Sequence, residues 1–318
     1  MHANIWIRGV AGGLVMLALT GLCGCASAPV PPDEAPFQDP MLVQQDGAAR
    51  AAFADGNYER AARFYELVLT RARATDNGAE VARAAYNRGA CLLLLKQAEP
   101  ALGCLREASA EFARLGLDPS PAWLLEARAA RLAGDTVAVT SLVERVLSQG
   151  RNDSIRLQAW LIRGTLAAEA GQGAAARVAL KEARRRLTDD PALRAGVAGL
   201  AGLVALAEEK PADAALSFDK ESAFLQRAAR WPDMAESLRR AGEAYAQAGQ
   251  PRDAALRFFR AARSLAGQGR WVPALQAAER ALSSAHAAGD EALTADTARL
   301  VEEIRQTVGM AKAAQPVE

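Results

Sequence analysis

One spacing recurs along most of this 318-residue chain and constrains its fold more than any other feature. Six small residues follow one another at intervals of 37 to 40 positions: Ala49, Gly89, Ala127, Gly164, Gly202 and Gly242. Twelve positions after each stands a second compact residue: Ala61, Ala101, Val139, Ala176, Ala214 and Ala254. Four positions further stands a larger apolar residue: Tyr65, Leu105, Val143, Leu180, Phe218 and Phe258. Two helices approach closely only where both present small side chains, so the pattern predicts helical hairpins packed at these pairs.

A turn position lies seven residues after the first small residue of each copy: Gly56, Lys96, Gly134, Gly171, Glu209 and Gly249. Glycine at four of six positions is typical of the left-handed residue that ends a helix. A single hairpin cannot bury its apolar face, so neighbouring copies must stack into one core. Residues Trp271 to Ala287 and Ala292 to Gly309 are predicted to form a seventh, degenerate hairpin. Glu209 and Glu221 depart from the pattern in the fifth copy.

The copy SLRRAGEAYAQAGQPRDAALRFFRAA, residues 237–262, resembles the tetratricopeptide repeat (TPR). Trp123 and Trp160 fall on the tryptophan position of that motif, and Tyr245 on its tyrosine position. The resemblance implies an all-α, right-handed α-solenoid of about seven helix-turn-helix repeats over residues 42–311, with a tail at 312–318. The period exceeds the usual 34 residues, so we expect helices or loops longer by about one turn.

The first 24 residues have the organisation of an export signal. Arg8 precedes an uncharged apolar run that is shorter than the roughly 20 residues of a membrane-spanning helix. The run ends in Leu22-Cys23-Gly24-Cys25, which resembles the lipobox of bacterial lipoprotein precursors. The resemblance implies that a signal peptidase recognises Leu22 and Gly24, and that Cys25 is lipidated and becomes the mature N-terminus.

The segment 25–41 is expected to act as a proline-rich tether between the lipid and the solenoid. Ala26 follows the cysteine where an aspartate would resemble an inner-membrane retention signal, so we expect an outer-membrane lipoprotein that faces the periplasm. The same segment also allows a different cleavage site. Ala26-Ser27-Ala28 is an A-x-A site, and cleavage after Ala28 would release a soluble periplasmic protein.

The sequence offers little catalytic chemistry. Its two histidines are His2 and His286, and no Ser/His/Asp arrangement, H-E-x-x-H motif or P-loop is present. A net charge of +1 is not typical of nucleic-acid-binding proteins, which carry basic surfaces. We predict no enzymatic activity, no cofactor, no metal site and no nucleic-acid or small-molecule ligand.

Cys91 and Cys104 lie on the two helices of one predicted hairpin. In an oxidising periplasm they could form a disulfide, which typically stabilises a fold by about 2–4 kcal/mol. Alternatively, they are two separate buried thiols that pack as small apolar side chains. Spacing alone leaves both alternatives open, because it does not fix whether the two sulfurs face each other.

The TPR resemblance also implies a binding groove, because the first helix of each hairpin lines the concave face in that family. The matching candidate positions are Arg50, Phe53, Tyr86, Leu93, Arg128, Arg131, Arg239 and Glu243. Arginine and aromatic residues are frequent at protein interfaces. We therefore predict a TPR lipoprotein that serves as an interaction scaffold or adaptor for envelope proteins or peptides, in an assembly or secretion complex. The alternatives are a soluble periplasmic adaptor and a self-associating structural protein.

Overall fold

The structure, a computed structural model, describes residues 39–313. The predicted signal and lipidation residues Leu22, Gly24 and Cys25, and the alternative site after Ala28, lie outside this range. The described range contains fourteen α-helices and no strand. They are α1 (Pro40–Ala54), α2 (Tyr58–Ala74), α3 (Gly78–Leu94), α4 (Ala98–Arg114), α5 (Ser120–Leu132), α6 (Thr136–Gln149), α7 (Asp153–Glu169), α8 (Gly173–Arg185), α9 (Pro191–Ala207), α10 (Pro211–Arg227), α11 (Trp231–Gln247), α12 (Pro251–Gly267), α13 (Trp271–Ala288) and α14 (Glu291–Ala313). Consecutive helices pair into seven hairpins, which we number one to seven, and the predicted all-α solenoid of about seven repeats is confirmed.

The turns of the first six hairpins use the left-handed residue that the spacing predicts. All six turn residues have φ between 58° and 82°. Four of them are glycines, whereas Lys96 and Glu209 adopt the same conformation with a side chain. The following residue closes the helix end, as where the Gln97 amide donates to the Leu92 carbonyl oxygen over 2.9 Å. This bond satisfies one of the carbonyl groups that a helix end leaves unpaired.

In the second, fifth and sixth copies, the repeat glycine packs against the large apolar residue sixteen positions on. A Cβ atom on Gly89 would lie 2.6 Å from Leu105 Cγ, and one on Gly242 would lie 2.8 Å from the Phe258 ring. The compact residues twelve positions on are all fully buried: Ala101, Ala176, Ala214 and Ala254. The glycine therefore makes room chiefly for the large side chain, while the alanine fills the adjacent core position.

The fifth copy keeps this packing despite its two glutamates. Gly202 faces the Phe218 ring, sixteen positions further along the chain. The glycines of the second and sixth copies face the large residue of their own copy in the same way. Glu209 is the left-handed turn residue and is exposed to solvent. Glu221 lies at a different site, where its carboxylate occupies the space that a side chain on Gly199 would need. The two departures from the pattern therefore fall at a turn and at a buried polar contact, and neither shifts the helices.

Hairpin four, α7–α8, differs from the others in its neighbours. A Cβ atom on Gly164 would lie 2.6 Å from Leu200 Cδ2 of α9 and 3.0 Å from Ala179 Cβ. Ala176 and Leu180 are buried but are not among its nearest atoms. Helix α8 has only 13 residues, compared with 17 in α7. The close approach at this glycine therefore joins hairpin four to hairpin five.

The core is continuous through the first three hairpins and divides at hairpin four. One cluster of buried residues extends from Leu42 to Ala159. A separate cluster is formed by buried residues of hairpin four and α9. Two further clusters are formed by buried residues of the hairpins that follow. Helix α6 packs less extensively on α7 than the regular neighbours α2 and α3 pack on each other. Among the described helices, none combines the length and the apolar character needed to cross a membrane.

Candidate interaction groove

The odd-numbered helices form one layer of the solenoid, and polar side chains join three pairs of successive odd-numbered helices: α1 with α3, α5 with α7, and α11 with α13. Arg83 Nη1 of α3 donates to Asp46 Oδ2 of α1 over 3.0 Å. Arg128 Nη2 of α5 donates to Gln158 Oε1 of α7 over 2.6 Å. We call the exposed surface of the odd-numbered helices the A-face. All eight residues predicted for the groove lie on these helices, and their surroundings differ.

In the first hairpin, Arg50 and Phe53 hold the A-face together. Exposed Arg50 pairs with Asp46 at 2.7 Å, and Asp46 is itself buried. Phe53 is half-buried and packs edge-to-face on Tyr58, with ring centroids 5.4 Å apart. Both side chains thus contribute to local packing and leave only part of their surface for a partner.

Tyr86 and Leu93 belong mainly to the core. Only 8% of Tyr86 is exposed, and its ring packs edge-to-face on Phe112 with centroids 6.2 Å apart. Burial raises the pKa of the Tyr86 hydroxyl. Leu93 is half-buried against the same core. A partner that binds the A-face would reach these two side chains only at their edges.

Arg128 is the arginine of the predicted set whose hydrogen-bond partner is a neutral side chain. Its side chain is exposed, yet desolvation by the surrounding protein lowers the pKa of its guanidinium. Tyr86 acts in the opposite direction, and the positive charge of Arg230 lowers the pKa further. Arg230 directly precedes α11 and forms an ion pair with Asp233 at 2.7 Å. Arg128 donates its hydrogen bond to the neutral amide of Gln158, and no carboxylate of residues 39–309 forms an ion pair with it.

The remaining charged residues of the predicted set form ion pairs. Arg131 Nη2 of α5 lies 2.5 Å from Glu169 Oε1 of α7. Arg239 pairs with Glu236 at 2.5 Å and also with Glu243, one turn away on α11. The hydrogen bond to Glu236 raises the pKa of Arg239. These pairs fix the side chains on the A-face and partly neutralise them.

The centre of the A-face is apolar, a feature that the sequence reasoning missed. Helix α9 has a single charged residue, Arg194. Leu203 and Leu206 of α9 are half-buried, as is Leu161 of α7. Gly196 lets Leu161 approach, since a Cβ atom there would lie 2.5 Å from Leu161 Cδ1. The signal was available in the sequence, because residues 195–207 contain no charge over more than three helical turns.

Cys91 and Cys104 are both free and buried in the structure, on α3 and α4. Burial raises the pKa of the Cys91 thiol to about 12 and also raises that of Cys104. Thiols with raised pKa values are poor nucleophiles, because the thiolate is the reactive species. In the structure both side chains pack in the core of the first three hairpins as small apolar groups, and the formation of a disulfide in an oxidising periplasm stays a prediction.

The A-face offers ion pairing and apolar contact. Within residues 39–309, no group of three His, Cys, Asp or Glu side chains lies close enough together to hold a metal ion. The arginines around the apolar centre instead provide the combination of charged and apolar surface that protein interfaces use.

Comparison with solved structures identifies the fold as that of the TPR solenoids. RapI in its apo form matches with a TM-score of 0.58 at 11% identity, over 85% of this chain and 99% of RapI. The TPR sensor protein PH0952 of Pyrococcus horikoshii, a signal transduction ATPase, matches with a TM-score of 0.57 at 10% identity, over 86% of this chain and 43% of PH0952. The quorum sensor NprR of B. thuringiensis matches with a TM-score of 0.53 at 12% identity, over 76% of each chain. No protein-family model and no curated protein matches the sequence.

Proposed function

We propose that this protein is a membrane-anchored adaptor of the bacterial cell envelope, which binds a partner protein on its A-face. One observation carries the proposal: exposed arginines of α5 and α11 lie on either side of the apolar centre formed by α7 and α9. Among these arginines, Arg128 donates to the neutral side chain of Gln158 and forms no ion pair within residues 39–309. Interfaces commonly combine an apolar centre with arginine side chains around it.

The anchoring part of the proposal rests on the sequence before the solenoid. An uncharged apolar run that ends in Leu22-Cys23-Gly24-Cys25 supports lipidation of Cys25. Two or more acyl chains provide stable anchoring, since each buried CH₂ contributes about 0.8 kcal/mol. We expect a labelled palmitate analogue to enter the wild-type protein and not the Cys25→Ser variant.

The neighbouring cysteine provides a matched control for that experiment. Cys23→Ser keeps the same number of thiols as Cys25→Ser, and it should be labelled like the wild type. Equal labelling of both variants, or of neither, would contradict lipidation at Cys25. A soluble product that begins after Ala28 would instead support the alternative cleavage and leave the A-face proposal intact.

Binding on the A-face is tested by crosslinking in living cells from a photoreactive residue at position 131. Residue 181 on α8 is the control, because Lys181 is exposed on an even-numbered helix away from the A-face. We expect one dominant partner from position 131 and none from position 181. Crosslinks of equal yield from both positions would contradict selective use of the A-face. Crosslinks between copies of the chain would favour the self-associating alternative, which sedimentation at several concentrations would then measure.

Charge substitutions on α5 test the same surface. Arg128→Glu should weaken partner capture, because it reverses the charge that no carboxylate compensates. Tyr86 is a poor choice for such a variant, since its ring is buried against Phe112 and its loss would disturb the fold. Circular dichroism of the Arg128→Glu protein should show intact helicity, and unchanged capture would contradict the proposal.

A further inference from the structure

The pocket between α11 and α13 lies at the C-terminal end of the A-face, outside the set of residues predicted from the sequence except for Arg239. Its volume is about 310 Å³. Three arginines line it: Arg239 of α11, and Arg270 and Arg280 at the start and middle of α13. Leu265 and Ala277 contribute buried apolar surface. The pocket thus combines guanidinium groups with an apolar lining.

The carboxylates nearby do not use all the hydrogen-bond donors of these arginines. Arg239 donates through Nε and both Nη atoms to Glu236 and Glu243. Arg280 donates to Glu243 through Nη1, and its guanidinium carbon lies 4.6 Å from the centroid of the Phe258 ring. Its Nε and Nη2 groups make no hydrogen bond within residues 39–309. An arginine has five N–H donors in a planar group, so Arg280 retains donors for a second acceptor.

Arg270 is the least paired of the three arginines among the described residues. Within residues 39–309 it forms no ion pair and no side-chain hydrogen bond, although its side chain lines the pocket. Arg270 is also the residue before the first turn of α13, and that helix has no side-chain cap. Helix α11 likewise has an arginine, Arg230, at its N-cap position and no side-chain cap. Pro232, in the first turn of α11, lines the same pocket. The positive ends of two helix dipoles therefore add to the charge of the arginines.

The pair Arg-Trp recurs at both helix starts, at residues 230–231 and 270–271. Trp231 is exposed to nearly half of its surface, and Val272 of α13 is also exposed. An exposed tryptophan beside an arginine is frequent where a few residues contribute most of the binding energy. Trp231 and Val272 directly precede the lining residues Pro232 and Pro273, so both add exposed apolar surface next to the lining in sequence.

We propose that this pocket binds an acidic segment of the partner protein, in which a carboxylate pairs with Arg270 and Arg280 and an adjacent apolar side chain contacts Leu265 and Ala277. The inference rests on the proposed function and specifies the chemistry of the partner. Charge complementarity supports an acidic occupant. Glu236 and Glu243 balance two of the three guanidiniums, since Arg239 engages both carboxylates and Arg280 pairs with Glu243. The charge of Arg270 and the two helix N-termini remain for a ligand. The volume suits one or two side chains rather than a folded domain.

The test is selection of phage-displayed random peptides on the purified full-length protein. We expect the selected peptides to be enriched in an aspartate or glutamate beside an apolar residue. Their affinity, measured by fluorescence anisotropy, should fall at least about tenfold in Arg270→Gln, since a charge-assisted pair is lost. It should also fall between about 0.1 M and about 1 M salt, because added ions screen the charges.

Arg260→Gln is the matched control. Arg260 is exposed on α12, has no ion pair within residues 39–309 and does not line the pocket. Its substitution should leave the affinity unchanged, and the melting temperatures of both variants should match the wild type. Acidic peptides that bind Arg270→Gln as tightly as the wild type would overturn the assignment to this pocket. Selected peptides without acidic enrichment would overturn the acidic partner and leave peptide binding by the A-face intact, whereas failure to select any peptide would contradict both proposals.

Discussion

Hairpins four and six carry the same glycine and pack it against different neighbours. In hairpin six, Gly242 faces Phe258 within the hairpin, and Arg280 of the next hairpin stacks on the same ring at 4.6 Å. In hairpin four, Gly164 faces Leu200 of the following hairpin, and the cognate position holds Leu180. A glycine paired with an aromatic residue thus closes its own hairpin, and the outer face of the ring remains available to the next one.

The two regions also differ in their polar contacts, which are more extensive around hairpin six than around hairpin four. Between hairpins five and six, the Tyr245 hydroxyl donates to Asp219 over 2.9 Å and Arg257 donates to the same carboxylate over 2.8 Å. Arg257 also lies over the Tyr245 ring at 4.6 Å. Hairpin four is linked to its neighbours mainly by apolar contact and by single ion pairs such as Arg177 with Glu208 at 2.5 Å. Regular stacking therefore combines a buried aromatic with a shared polar network.

The two hairpins should differ most in how much free energy of unfolding is lost when the large residue of each is replaced by alanine. Phe258→Ala should lower the free energy of unfolding by about 3–5 kcal/mol, because it empties a fully enclosed site. Leu180→Ala should lower it by about 2 kcal/mol, since the smaller side chain lies in a less extensively packed hairpin. Urea unfolding followed by circular dichroism measures both, and a larger loss for Leu180→Ala would reverse the comparison.

A smaller loss should follow from filling the space at the glycine. Gly242→Ala should lower the free energy of unfolding by about 1–3 kcal/mol, because the added methyl group overlaps the Phe258 ring. Gly103→Ala is the control: its methyl group would meet no neighbouring atom within 4 Å, and the helix should gain about 0.5–1 kcal/mol. In a Phe258→Ala background, Gly242→Ala should cause no further loss. A loss of equal size in both backgrounds would show that the ring is not the cause.

The connection between hairpins five and six contains backbone strain, because an alanine there adopts a left-handed conformation. The turn of hairpin four has a glycine in that conformation and lacks this strain. Ala229, between α10 and α11, has φ of 53°, whereas hairpin four turns at a glycine, Gly171. Ala229→Gly should raise the free energy of unfolding by about 0.5–1 kcal/mol, because only glycine adopts this conformation without a steric penalty. Ala228→Gly, at φ of −82°, should lower it by a similar amount. Thermal unfolding distinguishes the two signs, and a loss in both variants would contradict the strain.

The smallest expected effect is a change of stability with pH that depends on Glu221. Desolvation raises the pKa of Glu221, whose carboxylate accepts from Ser237 over 2.9 Å and pairs with Arg240 at 3.3 Å. A raised pKa means that the folded state binds the proton more tightly than the unfolded state. Its contribution to stability is therefore present below the ordinary value of 4.5 and is lost as the pH rises through the folded value.

Comparison with Glu221→Gln isolates that contribution. The stability of the wild type relative to the variant should fall between about pH 4 and about pH 7, because this interval begins below the ordinary pKa of a glutamate and ends well above it. Chemical unfolding at the two pH values measures the difference. A wild type that gains stability relative to Glu221→Gln over this interval would indicate that Arg240 and Ser237 outweigh desolvation.

The hairpins and their turns could be predicted because they depend on contacts close in sequence. The turn residues at Gly56, Lys96 and Glu209 have positive φ as the spacing requires, even where the residue is not glycine. A left-handed helix end is a local property, so one sequence pattern is sufficient to locate it. The same holds for the start of the seventh hairpin at Trp271.

The candidate groove was less predictable, because its chemistry depends on pairs formed between hairpins. The pairing of Arg280 with Glu243 joins α13 to α11 across 37 residues, and nothing in the local pattern distinguishes that arginine from a solvated one. The neighbour of Gly164 was missed for the same reason, since Leu200 belongs to the next hairpin. The apolar centre on α9 was detectable in the sequence, but the motif positions of the repeat family did not select it.

The pairing of Arg128 with a neutral amide has a kinetic consequence. A guanidinium whose hydrogen-bond partner is the neutral Gln158 amide keeps its full positive charge and attracts anionic groups from solution. A negatively charged partner is then attracted over a distance of about one Debye length, roughly 10 Å at 0.1 M salt. We expect the association rate constant to depend steeply on ionic strength, whereas dissociation should follow the apolar contact on α9 and change little with salt.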